Sequence, residues 1–212
     1  MNKITTILTV RHGQTAYNTE KRYAGSLDIP LNETGIRDSE NASVFLKNFE
    51  LDIVVASGLK RAIRTAELLV AGRDIKIIQT NLCNERNYGR MQGMTYTEIE
   101  EIRPRIKFIK LNDDFHSLNP PEGETFPALR RRANLFTQSI FQNYKGSNIL
   151  VVSSSAFMQQ MHGIFRGNDC MESLRNDIHN LECTIFTFEG RKLIEEKTVS
   201  LRKKDSAVQQ TF

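Results

Sequence analysis

Four successive aliphatic residues, Ile149-Leu150-Val151-Val152, constrain the fold of this chain more than any other feature. A β-strand alternates its side chains between two faces, so a strand built from these residues is apolar on both. It needs cover on both sides, as a central strand has in a parallel sheet sandwiched between helices. Further strands are expected at Ile4–Val10, Asp52–Ala56, Ile75–Gln79 and Cys183–Glu189, the last nearer an edge. A short one is expected at Leu193–Thr198, after the Gly190-Arg191 turn. Helical patterns fall between them. One opens at Asn32-Glu33-Thr34-Gly35 and runs to about Asn48; others cover Leu59–Val70, Thr95–Ile102, Glu124–Asn143 and Ala156–Phe165. Thr95 with Glu98 three positions on forms a capping-box pattern. Arg130, Arg131 and Arg132 read as a solvated helix face.

The alternation of strand and helix predicts a three-layer α/β/α sandwich around a mostly parallel central sheet. A length of 212 residues suits one domain, expected over residues 1–200, followed by a polar tail at 201–212. Residues 107–122 show no clear periodicity and include the pair Pro120-Pro121, so they read as an irregular, lid-like excursion.

Charge and cysteine usage narrow the function classes. Twenty-nine basic against 25 acidic residues leave a net charge of +4, with no basic stripe interleaved with aromatics. Arg202-Lys203-Lys204 is too short for such a patch. Nucleic acid is therefore not an expected partner; a small anionic substrate is. Cys83, Cys170 and Cys183 are widely spaced without a CxxC pair, which argues against a disulfide framework or a structural zinc and for free thiols in a reducing compartment. No stretch approaches the ~20 apolar residues of a membrane span, and no leader pattern opens the chain. A cytoplasmic protein is expected. A homodimer stays open.

The first strand delivers Arg11-His12-Gly13 at its C-terminal end, where open α/β sheets bind ligands. Phosphoryl transfer without a metal needs a nucleophile, fixed positive charge and a proton donor. His12 can be the nucleophile, Arg11 can fork onto phosphate oxygens, Gly13 lets the backbone approach an anion, and Asn18 can add a neutral donor. Ser57-Gly58-Leu59-Lys60-Arg61-Ala62 follows the second strand and puts Arg61 in the first turn of a helix, a place that favours anions. Asn84-Glu85-Arg86-Asn87-Tyr88-Gly89 follows the third strand and supplies Glu85 as the candidate acid. Arg86 and Tyr88 are candidates for a second charged group on a substrate. Met91, Met94, Met158 and Met161 read as packing.

With these pieces in this order, the chain resembles the histidine phosphatase superfamily in its phosphoglycerate-mutase-like branch. Leu8-Thr9-Val10-Arg11-His12-Gly13-Gln14-Thr15 is similar to the signature motif, and Tyr23 through Gly35 to the loop after it. Ser57 through Ala66, Glu85 through Gly89 with Gln92-Gly93, and Pro121-Glu122-Gly123-Glu124-Thr125 resemble further family segments. The resemblance implies a phosphohistidine at His12, a phosphoryl group held by Arg11 and Arg61, and Glu85 as acid and then base, with no metal or other cofactor. Asn18, Gly25, Arg86 and Ser154 are the substrate-binding positions it suggests.

One family element is replaced. Where the family usually carries a second histidine, this chain reads Val151-Val152-Ser153-Ser154-Ser155, with Ser154 at that position. A hydroxyl can donate a hydrogen bond but carries no charge. Losing one preorganised donor of this kind costs on the order of 10²–10³ in rate. His162 is two helical turns further on, roughly 11–12 Å away, and reads as a core residue. His179 reads as a loop residue, and His116 lies in the excursion, from where it could fold over the site. The expected activity is hydrolysis of a small phosphorylated metabolite, weakened by Ser154. A mutase-type phosphoryl transferase and a degenerate relative that only binds a phosphorylated ligand or protein are the alternatives.

Overall fold

Strand β6 (Asn148–Ser153) takes the place that its two apolar faces demand, between β1 (Ile4–Arg11) and β2 (Ile53–Ser57), both parallel to it. The structure, a computed structural model, describes residues 3–47, 49–112 and 114–202. The expected helix end at Asn48 and the tail beyond Arg202 lie outside the described residues, as do Lys203 and Lys204. β3 (Ile77–Thr80) adds parallel to β2, and β7 (Glu182–Glu189) adds antiparallel to β1. β8 (Lys192–Ser200) pairs antiparallel with β7 and completes a six-stranded sheet in the order β3-β2-β6-β1-β7-β8. The Cys183–Glu189 strand is thus flanked on both sides, and the edge falls to β8. Its exposed Lys192, Glu195, Glu196 and Lys197 suit an edge, because charge discourages further strand pairing.

Alternate residues of the same strands feed two separate cores. Ile7, Ile149 and Val151 pack with Phe136 and Ile140 of α5 (Phe126–Asn143) and Phe157 and Met161 of α6 (Ser155–Arg166). Leu8, Val10, Leu150 and Val152 pack on the opposite face with Ala42 and Leu46 of α2 (Glu33–Leu46) and Ala62, Ala66 and Leu69 of α3 (Lys60–Leu69). Each large aliphatic side chain buried this way stabilises the fold by about 1.5–3 kcal/mol. The result is the expected α/β/α sandwich.

Local signals set the helix ends. Asn32 caps α2 by accepting from the Gly35 N–H at 2.8 Å. Thr95 and Glu98 form the anticipated capping box, but the helix α4 it opens is a single turn, Tyr96–Ile99. A one-turn helix, α1 (Ala16–Thr19), follows β1 and was not foreseen from periodicity, which needs longer segments.

Two expectations are corrected. Residues 107–122 are not irregular throughout: β4 (Phe108–Leu111) and β5 (Asp114–Ser117) form an antiparallel hairpin with Ile109 opposite His116. Four-residue strands are too short to show a period. Arg130 and Arg132 do not line a solvated face either. Arg130 donates to the carbonyls of Gln160 and Asn168, and Arg132 pairs with Glu124 at 2.7 Å while donating to the carbonyls of Leu82 and Asn84. Among the described residues, no helix is long and apolar enough to cross a membrane.

Candidate active site

The C-terminal ends of the parallel strands β1 and β6 lie side by side, with Arg11 opposite Ser153 and the His12 N–H donating to the Ser153 carbonyl at 2.9 Å. His12 is 4% exposed. Its Nδ1 lies 2.7 Å from the Gly13 carbonyl, and its Nε2 lies 3.1 Å from Arg61 Nε. A carbonyl only accepts and a guanidinium only donates, so one neutral tautomer satisfies both contacts: N–H on Nδ1, lone pair on Nε2. Burial, then the charges of Arg61 and Arg11, hold the His12 pKa well below its usual value, against the opposing pull of the Gly13 carbonyl. The ring is neutral at neutral pH and presents Nε2 as a base or nucleophile.

Arg61 is fully buried in the first turn of α3. Besides the His12 contact, it donates through Nη1 to the Leu27 carbonyl and through Nη2 to the Gly25 carbonyl, each at 2.7 Å. Gly25 therefore meets Arg61 through its carbonyl. Its φ of +53° and a Gln92 side chain 2.3 Å from where a Cβ would stand explain why glycine is there. Burial lowers the Arg61 pKa, Glu85 and Asp28 oppose that shift, and Arg11 adds to it. Glu85 and Arg11 thus both lie within electrostatic reach of Arg61. Thr65 ties the cluster together by accepting from the Gly13 N–H at 3.0 Å and donating to the Arg61 carbonyl at 2.7 Å.

Glu85, 9% exposed, accepts from the Arg86 N–H at 2.7 Å and from the Ala156 and Phe157 N–H groups at 3.3 and 3.2 Å. The last two donors belong to the first turn of α6, so the Glu85 side chain caps that helix N-terminus from outside the helix. The N-cap residue, Ser154, makes no capping bond. Ser154 is 1% exposed, and its Oγ is buried with no hydrogen-bond partner among the described residues.

Arg11 donates through Nη1 to the Ile178 carbonyl at 2.6 Å and lines a cavity of about 450 Å³. His116 on β5 and Ser155 and Ala156 of α6 line the same cavity. Glu85 faces a neighbouring opening that it shares with Ser26, Asn81 and Asn84. Arg11, His12, Arg61 and Glu85 thus meet at one end of the sheet.

Three other sequence-picked residues are held by contacts within the protein. Arg86 is 1% exposed, donates to the Glu124 carbonyl at 2.7 Å and lies 3.7 Å from the Phe126 ring centroid, while its Nη2 has no hydrogen-bond partner among the described residues. The Asn18 carboxamide oxygen is taken by the Thr15 N–H and hydroxyl, each at 3.0 Å, which leaves its NH₂ as the group able to donate. Gly13 is required by packing: a Cβ there would lie 2.7 Å from the Gly35 carbonyl of α2. His162 is a fully buried core residue bonded to Thr9 Oγ1 at 2.9 Å, and His179 lies in the loop before β7, both as expected. Asn180 was not anticipated. Its Nδ2 donates to the His12 carbonyl at 2.8 Å across 168 residues of chain.

A family model for the histidine phosphatase superfamily (branch 1) matches residues 7–199. The chain belongs to that superfamily. Its relatives there include both phosphatases and mutases. It is 31% identical over 166 residues to the uncharacterized phosphatase PhoE of Bacillus subtilis, covering 78% of this chain and 80% of that protein. It is 32% identical over 151 residues to the 2,3-bisphosphoglycerate-dependent phosphoglycerate mutase of Cytophaga hutchinsonii, covering 69% and 70%. The solved structure of Bacillus stearothermophilus YhfR superposes with a TM-score of 0.78 at 26% identity, covering 90% of this chain and 94% of that one. The chain is an enzyme of the histidine phosphatase type.

Proposed function

We propose that this member of the superfamily hydrolyses small phosphomonoesters through a phosphohistidine at His12. The contact that carries the reading is Arg61 Nε to His12 Nε2, which keeps a neutral imidazole with its lone pair beside a buried cation. An entering phosphate competes for the Arg61 N–H groups and exposes Nε2 to phosphorus. The Nε2 lone pair forms the N–P bond as the ester P–O bond breaks, with Arg11 and Arg61 neutralising the equatorial oxygens. Glu85 gives the leaving oxygen its proton, then takes one from the water that attacks the phosphohistidine. Inorganic phosphate leaves and His12 returns to its resting state. Asn18 has an NH₂ left to bind the phosphoryl group, and Gly25 acts through Arg61. The hairpin β4–β5 serves as a lid over the leaving-group side.

Ser154 supports a second reading, that the chain binds a phosphorylated ligand and turns it over slowly. Its hydroxyl brings no charge to the position of the family's second histidine. Ser154→His discriminates between the two. Phosphate release from a panel of phosphomonoesters, measured in the presence of a chelator, is expected to rise about a hundredfold in this variant. Unchanged release in Ser154→His, with a ligand still bound, favours the binding role. No release and no phosphoenzyme in either protein would defeat the hydrolase reading.

A further inference from the structure

The cavity beside Arg11, about 450 Å³, is much larger than a phosphate ion. Its wall contains three basic side chains, Arg11, Lys21 and Arg22, and no carboxylate. Two of them are already engaged. Arg11 Nη1 bonds the Ile178 carbonyl, and Arg22 pairs with Glu20 at 2.7 Å and Glu98 at 2.9 Å. Lys21 makes no ion pair among the described residues.

The backbone singles out Lys21 a second time. It directly follows Glu20, the C-cap of α1, with φ of +53°. Glycine is the unstrained occupant of such a position, and a residue with a Cβ is held there against a steric penalty. Strain of this kind concentrates where a side chain is used. Tyr96 and Phe115, 40% and 47% exposed, also line the cavity, with ring centroids 5.6 Å apart. They present an apolar surface in the same wall as the cations.

We propose that this cavity is the alcohol subsite and that Lys21 selects substrates whose leaving alcohol carries a second negative charge. The apolar body of that alcohol lies against Phe115 and Tyr96. The inference rests on the hydrolase reading for its substrate class. The recognised group is an anion, either a carboxylate or a second phosphate.

Non-hydrolysable phosphonates test it by calorimetry. Benzylphosphonate, 4-carboxybenzylphosphonate and 1,4-xylylenebisphosphonate share one ring and differ in the second charge. The wild type is expected to bind at least one of the two charged compounds about tenfold more tightly than benzylphosphonate, and less so at high salt. The tighter of the two identifies the anion. Lys21→Gly should bring the ratio close to one without lowering the melting temperature, because glycine relieves the backbone, while Lys21→Arg should keep it. A ratio unaltered in Lys21→Gly overturns the inference, as does equal or absent binding of all three by the wild type. Turnover of benzyl phosphate is read separately. Hydrolysis without charge preference defeats the Lys21 inference alone, whereas charge preference without hydrolysis or phosphoenzyme defeats the hydrolase reading and leaves the anion subsite standing.

Discussion

Arg61 Nε donates to His12 Nε2 at 3.1 Å, and this contact selects the tautomer of the neutral imidazole. With the Gly13 carbonyl taking the proton on Nδ1 at 2.7 Å, Nε2 has nothing to offer but its lone pair.

The pH dependence follows from that environment. The pKa of His12 lies well below 6.5, through burial first and then through Arg61 and Arg11. Protonation removes the lone pair, so the rate of phosphoenzyme formation falls on the acid side. The fall is expected only below pH 6.5. Single-turnover kinetics against pH check this. An acid limb centred at or above 6.5 contradicts it.

Glu85 holds the α6 N-terminus and is the proposed acid. Glu85→Gln keeps an acceptor for the Ala156 or Phe157 N–H but has no acidic proton. With alkyl phosphates, kcat/KM is expected to drop by about 10²–10⁴. With p-nitrophenyl phosphate, whose leaving group needs no proton, the drop should be at least tenfold smaller. Equal losses on the two substrates would remove Glu85 from the proton-transfer step.

Arg86 is held by packing against the protein. Its guanidinium lies on Phe126 and bonds the Glu124 carbonyl, so its loss should affect folding before binding. Arg86→Met leaves that carbonyl without its donor and is expected to destabilise the protein by about 1–3 kcal/mol. KM for a phosphomonoester should stay within about twofold. A large KM change at unchanged stability would put Arg86 back among the substrate contacts.

His162 makes the fold sensitive to acid. Burial, with Arg166 adding, lowers its pKa from 6.5 to about 3. The unfolded chain takes up this proton as the pH falls through 6.5, but the folded chain does not until about 3. Stability therefore declines with falling pH across that window, by about 1.4 kcal/mol per unit from this group. Urea titrations at stepped pH should show the slope, and His162→Asn should make it shallower by that amount. An identical slope in the variant would contradict the assignment.

Much of this architecture was legible because it follows from short-range rules. The two-faced run Ile149–Val152 put β6 in the middle of the sheet, and alternation along β1 divides Ile7 from Leu8 between two cores. Arg11, His12, Arg61 and Glu85 could be picked because each follows a strand or opens a helix at the end of the sheet where ligands bind. What escaped depends on contacts far apart in sequence. Nothing near Asn180 announces that it will bond His12, and nothing near Gly13 shows that α2 will pass within contact of it. Arg130 and Arg132 look like solvated charges in the sequence, and Arg86 like a substrate contact. They are held inside because backbone carbonyls, Glu124 and Phe126 surround them.

The most direct test of the account is the chemical state of His12 during turnover. Brief exposure of the wild type to a phosphomonoester radiolabelled in phosphorus, followed by an alkaline quench, should leave an acid-labile, base-stable label on the peptide that contains His12. The label should be absent from His12→Asn and should decay as inorganic phosphate is released. Hydrolysis with no label in the wild type, or a label that persists in His12→Asn, would contradict the account.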